Sequence, residues 1–241
     1  MLRVAYDGSK YHGYQYQEGQ NTIEGELRKI LDTQLIGGSR TDAGVHALDN
    51  VVVFDTDSEI PADRYVFILN QKLPEKIRVM SSREVEPSFH PRKCASTKTY
   101  EYRIVNAPIM DPRRRAFACH CEYRLDVEKM QKAAIAFIGE HDFTAFCAAN
   151  AQVDSKVRTI YDIRVIKDTN NEIVLTVSGN GFLYNMVRII AGTLMDVGRG
   201  RICASDVEGI IESKDRTKAG PTAPACGLCL MSYKFDDYEE V

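Results

Sequence analysis

Apolar side chains recur with helical spacing in several stretches of the chain. The clearest stripe lies at positions i, i+4, i+7 and i+8 and contains Ile23, Leu27, Ile30 and Leu31. Asn21 precedes this stripe and is followed three residues later by Glu24, which predicts a capping box that opens a helix at Asn21. We predict further helices over residues 61–73, 126–138 and 182–197, and a short one opened by the capping box Ser205-Asp206-Val207-Glu208.

Short runs of alternating or β-branched apolar residues predict strands. They cover residues 3–6, 51–54, 99–105, 159–167, 173–179 and 227–235. Because hairpin-like strand pairs and longer crossovers both occur among the helices, the pattern favours an α+β architecture over a doubly wound sheet. We expect two halves, residues 1–97 and residues 98–241, with the boundary near residues 94–98.

The predicted helix over residues 182–197 has one arginine outside its apolar stripe. The stripe consists of Leu183, Met186, Val187, Ile190, Leu194 and Val197. An α-helix turns by about 100° per residue, which places Arg188 about 140° from Leu183. Arg188 is therefore expected to pair with a group outside the helix's apolar face.

The composition is that of a globular protein, with 44% hydrophobic and 27% charged residues among 241. The seven cysteines are odd in number and scattered, which favours reduced thiols in a cytoplasmic protein over a disulfide framework. No apolar run approaches membrane-spanning length, and the first residues contain no apolar leader segment. We predict a cytoplasmic protein without a membrane anchor.

The net charge of −3 does not by itself indicate a nucleic-acid partner. Residues 236–241 hold four acidic side chains, however, and the rest of the chain has a net charge of +1. Basic residues cluster at Arg92-Lys93, at Arg113-Arg114-Arg115, at Arg199 and Arg201, and at Lys214, Arg216 and Lys218. These clusters would attract phosphates if the fold placed them on one face; otherwise they are solvated surface charges.

One loop, residues 40–47 (Arg-Thr-Asp-Ala-Gly-Val-His-Ala), stands out chemically. It presents Asp42 between glycines and just before a predicted strand, a common way to hold a reactive side chain on a rigid scaffold. An aspartate with an ordinary pKa of about 3.9 is an anion at neutral pH and can act as a nucleophile or a base. The alternative is an aspartate that caps a turn, which loops strongly favour.

Cofactor and metal sites are weakly indicated. No Walker loop and no strand-linked G-x-G-x-x-G is present, which argues against a nucleotide cofactor. Two cysteine pairs, Cys119/Cys121 and Cys226/Cys229, could supply four zinc ligands. The second pair lies at a predicted strand, where residues i and i+3 point to opposite faces. We therefore predict no metal and no cofactor.

Two hydrolytic interpretations are also weak. Ser39, His46 and Asp42 have the composition of a catalytic triad, but the sequence shows no nucleophile elbow and no separated base and orienter. A glycosidase would need a second carboxylate, for which Asp7 is the only candidate in a similar loop.

Residues 38–47 resemble the active-site signature of the TruA family of tRNA pseudouridine synthases. Further similarities to this family occur in order along the chain: Tyr6-Asp7-Gly8, Tyr11-His12-Gly13, the helix start at 22–27, Phe89-His90-Pro91-Arg92, Lys98-Thr99-Tyr100-Glu101-Tyr102, residues 139–146, Asn185-Met186-Val187-Arg188, Lys214-Asp215-Arg216 and Gly227-Leu228. Separated matches in family order are far more specific than any one motif.

The resemblance implies an enzyme that isomerises uridine to pseudouridine in the anticodon stem-loop of tRNA, at positions 38, 39 and 40. It implies no metal or organic cofactor, and a homodimer with tRNA lying across a basic surface between subunits. The implied pseudouridine synthase fold is a curved, mainly antiparallel sheet with flanking helices, in two similar halves around a central catalytic cleft. Residues 1–97 would carry the catalytic loop, and residues 98–241 would complete the active site and the dimer.

The resemblance also implies roles for five residues of this sequence. Asp42 matches the catalytic aspartate, which could attack C1′ of the ribose or C6 of the base, or remove the C2′ proton. Tyr100 matches the tyrosine that stacks on the target base, with core packing as the alternative. Arg188 matches the arginine that pairs with the catalytic carboxylate, and Arg40 the arginine that fills the space left by the everted base. Leu228 matches an apolar residue that closes the base pocket, although a strand leucine could equally be core.

The sequence departs from the family pattern in three respects. It contains no tryptophan, so Tyr14 stands where the family has Trp; the link from Leu31 to Gly37 is short; and the net charge is mildly acidic. These departures bear on the affinity for tRNA and on the choice of uridine. A non-catalytic tRNA-binding protein or chaperone on the same scaffold is the competing hypothesis, and the presence of Asp42 with Arg188 and Tyr100 argues against it.

Overall fold

The computed structural model describes residues 1–149, 153–170 and 172–236; the acidic tail from residue 237 onward lies outside the described residues. The described helices are α1 (Ile23–Leu31), α2 (Tyr65–Lys72), α3 (Val127–Ala134), α4 (Met186–Gly198) and α5 (Asp206–Ser213). The described strands are β1 (Leu2–Tyr6), β2 (Ile36–Gly37), β3 (His46–Val53), β4 (Ile77–Ser82), β5 (Ser96–Asn106), β6 (Cys119–Cys121), β7 (Gly139–Asp142), β8 (Val157–Lys167), β9 (Glu172–Gly179) and β10 (Leu228–Phe235). This content confirms the α+β prediction. No helix in the described ranges is long and apolar enough to cross a membrane.

The chain divides into two compact units. Unit 1 consists of Met1–Ser96 together with the chain from Cys229 onward, and unit 2 is Thr97–Leu228. The functional halves expected from the sequence, residues 1–97 and 98–241, stay a prediction. The closing strand, which that prediction placed in the second half, groups with unit 1 from Cys229.

The sheet of unit 1 has the strand order β4-β1-β3-β10. β1 is antiparallel to both β3 and β4, whereas β10 runs parallel to β3 through the pairs Cys229–His46 and Leu230–Ala47. β2 adds a short antiparallel pair to β3. A buried apolar cluster includes side chains of β3 and β10 and consists of Met1, Val51, Val53, Phe89, Tyr233 and Phe235. β3 is therefore central in unit 1, and the loop of residues 40–47 enters it at His46.

The predicted capping box at Asn21 is wrong. Helix α1 begins at Ile23, and its N-cap is Thr22, whose hydroxyl accepts from the third helical N–H at 3.2 Å. The buried carboxylate of Glu24 is used elsewhere, because it accepts from the backbone N–H of Tyr16 at 2.9 Å and from the Arg28 guanidinium. The helix prediction over residues 61–73 holds as a 3-10 turn at Ala62–Arg64 followed by α2.

Unit 2 is built on the antiparallel strand order β5-β9-β8-β7, with β6 parallel to β5. α3 packs on β8 and on α4. The helix predicted over residues 126–138 ends earlier, since α3 stops at Ala134 and a 3-10 turn continues to Phe137. Ile138, the last residue of the predicted helix, is 42% exposed.

Two helix starts in unit 2 differ from prediction. α4 begins at Met186 rather than at residue 182, because Asn185 takes a left-handed conformation (φ 61°). The capping box at Ser205 is wrong: Ser205 already has helical angles (φ −68°, ψ −19°), and its side chain makes no cap hydrogen bond to α5. A side-chain cap requires an extended N-cap backbone, which Ser205 lacks.

Candidate active site

The loop of residues 40–47 in unit 1 is held by a hydrogen bond within its own backbone and by hydrogen bonds to Tyr11 and Tyr14, which precede it in sequence. Val45 N–H donates to the Asp42 carbonyl (3.1 Å), and Gly44 N–H donates to the Tyr11 carbonyl (3.1 Å). Tyr14 N–H donates to the Thr41 carbonyl at 3.0 Å. Gly44 has φ +80°, which a glycine adopts without strain. Asp42 thus sits in a turn whose backbone is fixed on both sides.

A buried hydrogen-bond network supports the entry to this loop. Asn50, fully buried on β3, accepts from Ser39 N–H (3.1 Å) and donates to the Ser39 carbonyl (2.9 Å). Its amide also donates to the Tyr6 hydroxyl (3.1 Å), which shares a hydrogen bond with the Thr41 hydroxyl (2.7 Å). Because buried polar groups are costly to leave unpaired, this network specifies one position for the backbone on either side of Arg40.

The segment before the loop approaches it so closely that a side chain would not fit. A Cβ on Gly8 would lie 1.9 Å from the Val45 carbonyl oxygen. A Cβ on Gly13, which has φ +91°, would lie 2.9 Å from the Thr41 carbonyl oxygen. Two of the motifs that carry the family resemblance therefore form the support of the Asp42 loop.

Asp42 is half-buried and Arg40 is exposed, so both side chains of the loop are at least partly accessible. Burial and then the charge of Arg40 lower the pKa of the Arg92 guanidinium from its ordinary value, so these two cations act on each other. Two neighbouring guanidinium groups in unit 1 form a local concentration of positive charge suited to phosphate oxygens.

The hydrolytic interpretations gain no support in unit 1. His46 Nδ1 accepts from Gly8 N–H at 3.2 Å and lies 3.3 Å from Asp7 Oδ1. Asp7 caps the turn that follows it, accepting from Ser9 N–H at 3.0 Å, and it forms an ion pair with Lys76. Burial acts to raise the pKa of Asp7, but hydrogen bonds from Lys76 and Ser9 leave that pKa below its ordinary value. Asp7 is thus an ionised structural carboxylate, unsuited to the proton donation that a glycosidase acid performs.

In unit 2, Tyr100 lies on β5 opposite Val177 of β9 and is 7% exposed. The ring of Phe182 packs against it edge to face, with ring centroids 5.1 Å apart and an interplanar angle of 82°. This contact orients the Tyr100 ring and is compatible with both roles considered for it, stacking on a base and core packing.

Arg188 is held at two points by other groups of unit 2. Its Nε donates to the Ala223 carbonyl (2.7 Å), and its Nη1 donates to Asn185 Oδ1 (2.8 Å). The reference residue Leu183 lies outside α4, so the angle derived from it does not apply. Arg188 nevertheless is one of two α4 positions, with Asp196, that are not buried.

Leu228, the last residue of unit 2, is 5% exposed at the start of β10. The glycine before it permits close packing, since a Cβ on Gly227 would lie 2.7 Å from the Tyr102 ring. The Tyr102 hydroxyl donates to the Pro224 carbonyl (2.8 Å). The burial of Leu228 is compatible with both roles considered for this residue, pocket closure and core packing.

The cysteine pairs do not converge on a metal geometry. Across the described ranges, no three His, Cys, Asp or Glu side chains are placed to hold a metal ion. Cys121 Sγ accepts from Arg199 Nη2 at 3.2 Å, and the Arg199 guanidinium lies 4.7 Å from the Tyr123 ring centroid. Burial raises the pKa of both the Cys119 and the Cys226 thiols. Thiols with raised pKa values are poor ligands and poor nucleophiles.

Several of the predicted basic clusters are used for internal pairing. Arg113 pairs with Asp111 at 2.6 Å, Arg114 with Glu172 at 2.6 Å, and Lys214 with Asp142 at 2.8 Å. Arg115, Lys93 and Lys218 are exposed. The exposed residues outside these three ion pairs, rather than whole clusters, are therefore the candidates for contact with phosphates.

The structure brings Arg40 and Asp42 together on one loop of unit 1, and it places Tyr100, Arg188 and Leu228 in unit 2. The sequence assigned no role to Asn50, which holds the backbone of Ser39 before the loop, or to Asn185 and Ala223, which hold the candidate side chain of Arg188. The signal for Asn185 was its place in the Asn185-Met186-Val187-Arg188 similarity, whereas Asn50 had no local signal. Asn50 acts through partners 11 and 44 residues away, which only the fold brings close, whereas Asn185 contacts Arg188 three residues along the chain.

Comparison with known proteins adds an independent finding. The family model described as tRNA pseudouridine synthase matches residues 3–92 and 133–236. The chain is similar to proteins named tRNA pseudouridine synthase A: 48% identical to that of Ruminiclostridium cellulolyticum (95% of this chain, 96% of the relative) and 47% identical to that of Brevibacillus brevis (94% and 95%). The Bacillus subtilis relative is 43% identical, covering 97% of this chain and 98% of its own length. A solved Cbf5-Nop10-Gar1 complex aligns over 96% of this chain and 47% of its own chain, with 9% identity and a TM-score of 0.34.

Proposed function

We propose, because the chain belongs to the tRNA pseudouridine synthase family, that it isomerises uridine to pseudouridine in the anticodon stem-loop of tRNA, at positions 38, 39 and/or 40. The observation that carries the proposal is the family match, which includes the Asp42 loop and runs through most of both units. The anticodon stem-loop as the target comes from the resemblance to the TruA family.

The reaction moves one bond within the substrate. The N1–C1′ glycosidic bond breaks, the uracil turns, and C5 bonds to the same C1′; N1 gains a proton, and C5 loses one. Asp42 is the proposed catalytic residue, and its place in a backbone-fixed turn supports that role because a preorganised carboxylate needs little reorganisation at the reacting carbon. The first step that Asp42 performs is attack on C1′ of the ribose, attack on C6 of the base or removal of the C2′ proton.

The other four residues are proposed to complete the site around the extruded nucleotide. Tyr100, whose ring plane is fixed by Phe182, stacks on the target base and helps to remove the C5 proton. Arg40, exposed beside Asp42 in sequence, fills the space that the base leaves, which offsets part of the unstacking cost of a few kcal/mol. Arg188 pairs with the catalytic carboxylate, and Leu228 closes the base pocket.

The proposal also includes a cytoplasmic homodimer without cofactor, with tRNA on a basic surface. The exposed side chains of Arg115, Lys93 and Lys218 support the last point, since exposed cations can exchange bound counterions for phosphates. Sedimentation equilibrium of the full chain tests the dimer: a mass of twice 27.1 kDa is expected, and a monomer over the whole concentration range would contradict it.

The test of the function is conversion of an unmodified tRNA transcript by purified protein without added cofactor. Carbodiimide adducts read by primer extension should appear at uridines 38, 39 or 40, and a transcript carrying cytidine at these three positions is the matched control. Binding of tRNA without any adduct would favour the non-catalytic tRNA-binding protein. Adducts at other uridines only would retain the enzyme and reject the proposed positions.

A further inference from the structure

Asn185 has an unusual backbone for the place it occupies. Three non-glycine residues of the described chain have positive φ: Asp32, Asn185 and Lys214. Asp32 and Lys214 follow α1 and α5, where a left-handed residue is a common helix ending. Asn185 instead precedes α4 (φ 61°, ψ 6°), where an extended residue is the ordinary N-cap.

The side chain of Asn185 is also diverted from its ordinary use. Asparagine at this position normally accepts a hydrogen bond from the helix N-terminus, but Asn185 makes no side-chain cap bond to α4. Its Oδ1 accepts from Arg188 Nη1 at 2.8 Å. Asn185 is thus left-handed and does not cap α4 with its side chain, and its side chain contacts Arg188 instead. Strained conformations that persist in this way are concentrated at functional sites.

A second group holds the same guanidinium at Nε. The Ala223 carbonyl accepts from Arg188 Nε (2.7 Å), while Ala223 N–H donates to the Arg188 carbonyl (3.0 Å). Arg216 secures the preceding loop by donating to the Gly220 carbonyl (2.9 Å) and to the Thr222 hydroxyl (3.2 Å). Because the guanidinium is planar, the contacts at Nε and at Nη1 together fix its plane.

We propose that Asn185 is a positioning residue for the reaction, which acts by fixing the guanidinium of Arg188. The inference rests on the proposed function, because it requires that Arg188 contributes to catalysis. A displacement of about 1 Å in a charged group that aligns the reacting atoms can reduce a rate about 100-fold. Asn185 therefore determines the rate of the chemical step without touching the substrate.

Three variants separate the side chain of Asn185 from its backbone. Asn185→Gly keeps the left-handed conformation and removes the carbonyl that holds Arg188. Asn185→Asp keeps an oxygen acceptor and also tolerates that conformation. Asp32→Gly is the matched control, since it changes an exposed left-handed residue of unit 1 to glycine.

Single-turnover rates at saturating enzyme, tRNA dissociation constants and Tm are measured for the three variants. We expect Asn185→Gly to lower the rate about 10- to 100-fold while the dissociation constant stays within about twofold. Asn185→Asp should recover part of the rate, and Asp32→Gly should match the wild type. An Asn185→Gly enzyme at the wild-type rate, or an Asn185→Asp enzyme no faster than Asn185→Gly, would overturn the inference. Failure of the proposed function is distinct, because then the wild type and Asp32→Gly would form no pseudouridine.

Discussion

Asn50→Ala tests whether the buried network behind the Asp42 loop controls both stability and catalysis. The substitution removes the hydrogen bonds that Asn50, which is fully buried, makes with Ser39 N–H and with the Ser39 carbonyl. Each unsatisfied buried group costs about 1–3 kcal/mol, so we expect the free energy of unfolding to fall by about 4 kcal/mol. For a chain of this length that corresponds to a decrease in Tm of roughly 8–16 °C.

A matched asparagine separates the two effects. Asn70 also bonds to both backbone groups of one residue, Val79, at 2.9 and 2.8 Å, but it joins α2 to β4. Asn70→Ala should destabilise the protein less, because Asn70 is only half-buried, and it should leave the rate per folded molecule unchanged. Urea unfolding and single-turnover rates below the transition measure both quantities. A loss below about 1 kcal/mol for Asn50→Ala, or equal rates in the two variants, would refute the argument.

Three further predictions concern single side chains. The hydroxyl of fully buried Tyr14 has no hydrogen-bond partner among the described residues, so Tyr14→Phe should stabilise the protein by about 1 kcal/mol and raise Tm, as calorimetry can show; a lower Tm would contradict this. The pKa of Asp7 in the folded state lies below its unfolded value of 3.8, so ionised Asp7 stabilises the fold at any pH above 3.8. The Tm difference between wild type and Lys76→Met should therefore shrink as the pH falls below 3.8 and then through the folded-state pKa of Asp7; a constant difference would be inconsistent with the ion pair. Arg115→Ala should reduce the slope of log K for tRNA binding against log salt by about 1. Arg113→Ala should reduce this slope less, because the Arg113 guanidinium pairs with Asp111. A slope for Arg115→Ala equal to that of the wild type would show that Arg115 is only a solvated surface charge.

The parts of the fold that the sequence predicted are those with local signals. The stripe from Ile23 to Leu31 fixes α1 to within two residues, and alternation predicts β5, β8 and β9 closely. β4 and β7 were not predicted, because alternation in β4 is confined to Ile77, Arg78 and Val79 and β7 (Gly139–Asp142) contains no apolar side chain. The start of α4 was misplaced because Leu183 continues the apolar stripe, while the left-handed turn at Asn185 leaves no trace in hydropathy.

The site shows the same division between local and distant causes. The Asp42 loop could be singled out from its glycines and from the family resemblance. The Asn50 network behind the loop could not, since Asn50 bonds to Ser39 and Tyr6, which are 11 and 44 residues away. The ion pairs of Arg114 and Lys214 likewise join residues that are distant in sequence, so clustering of charge along the chain overestimated the basic surface.

The central claim is that the carboxylate of Asp42 carries the chemistry. Asp42→Asn, compared with Asp32→Asn at an exposed carboxylate of the same unit, is the most direct measurement. We expect Asp42→Asn to abolish pseudouridine formation in an unmodified tRNA transcript while tRNA binding is largely retained, and Asp32→Asn to behave as the wild type. Pseudouridine formed by Asp42→Asn at the wild-type rate would contradict the account.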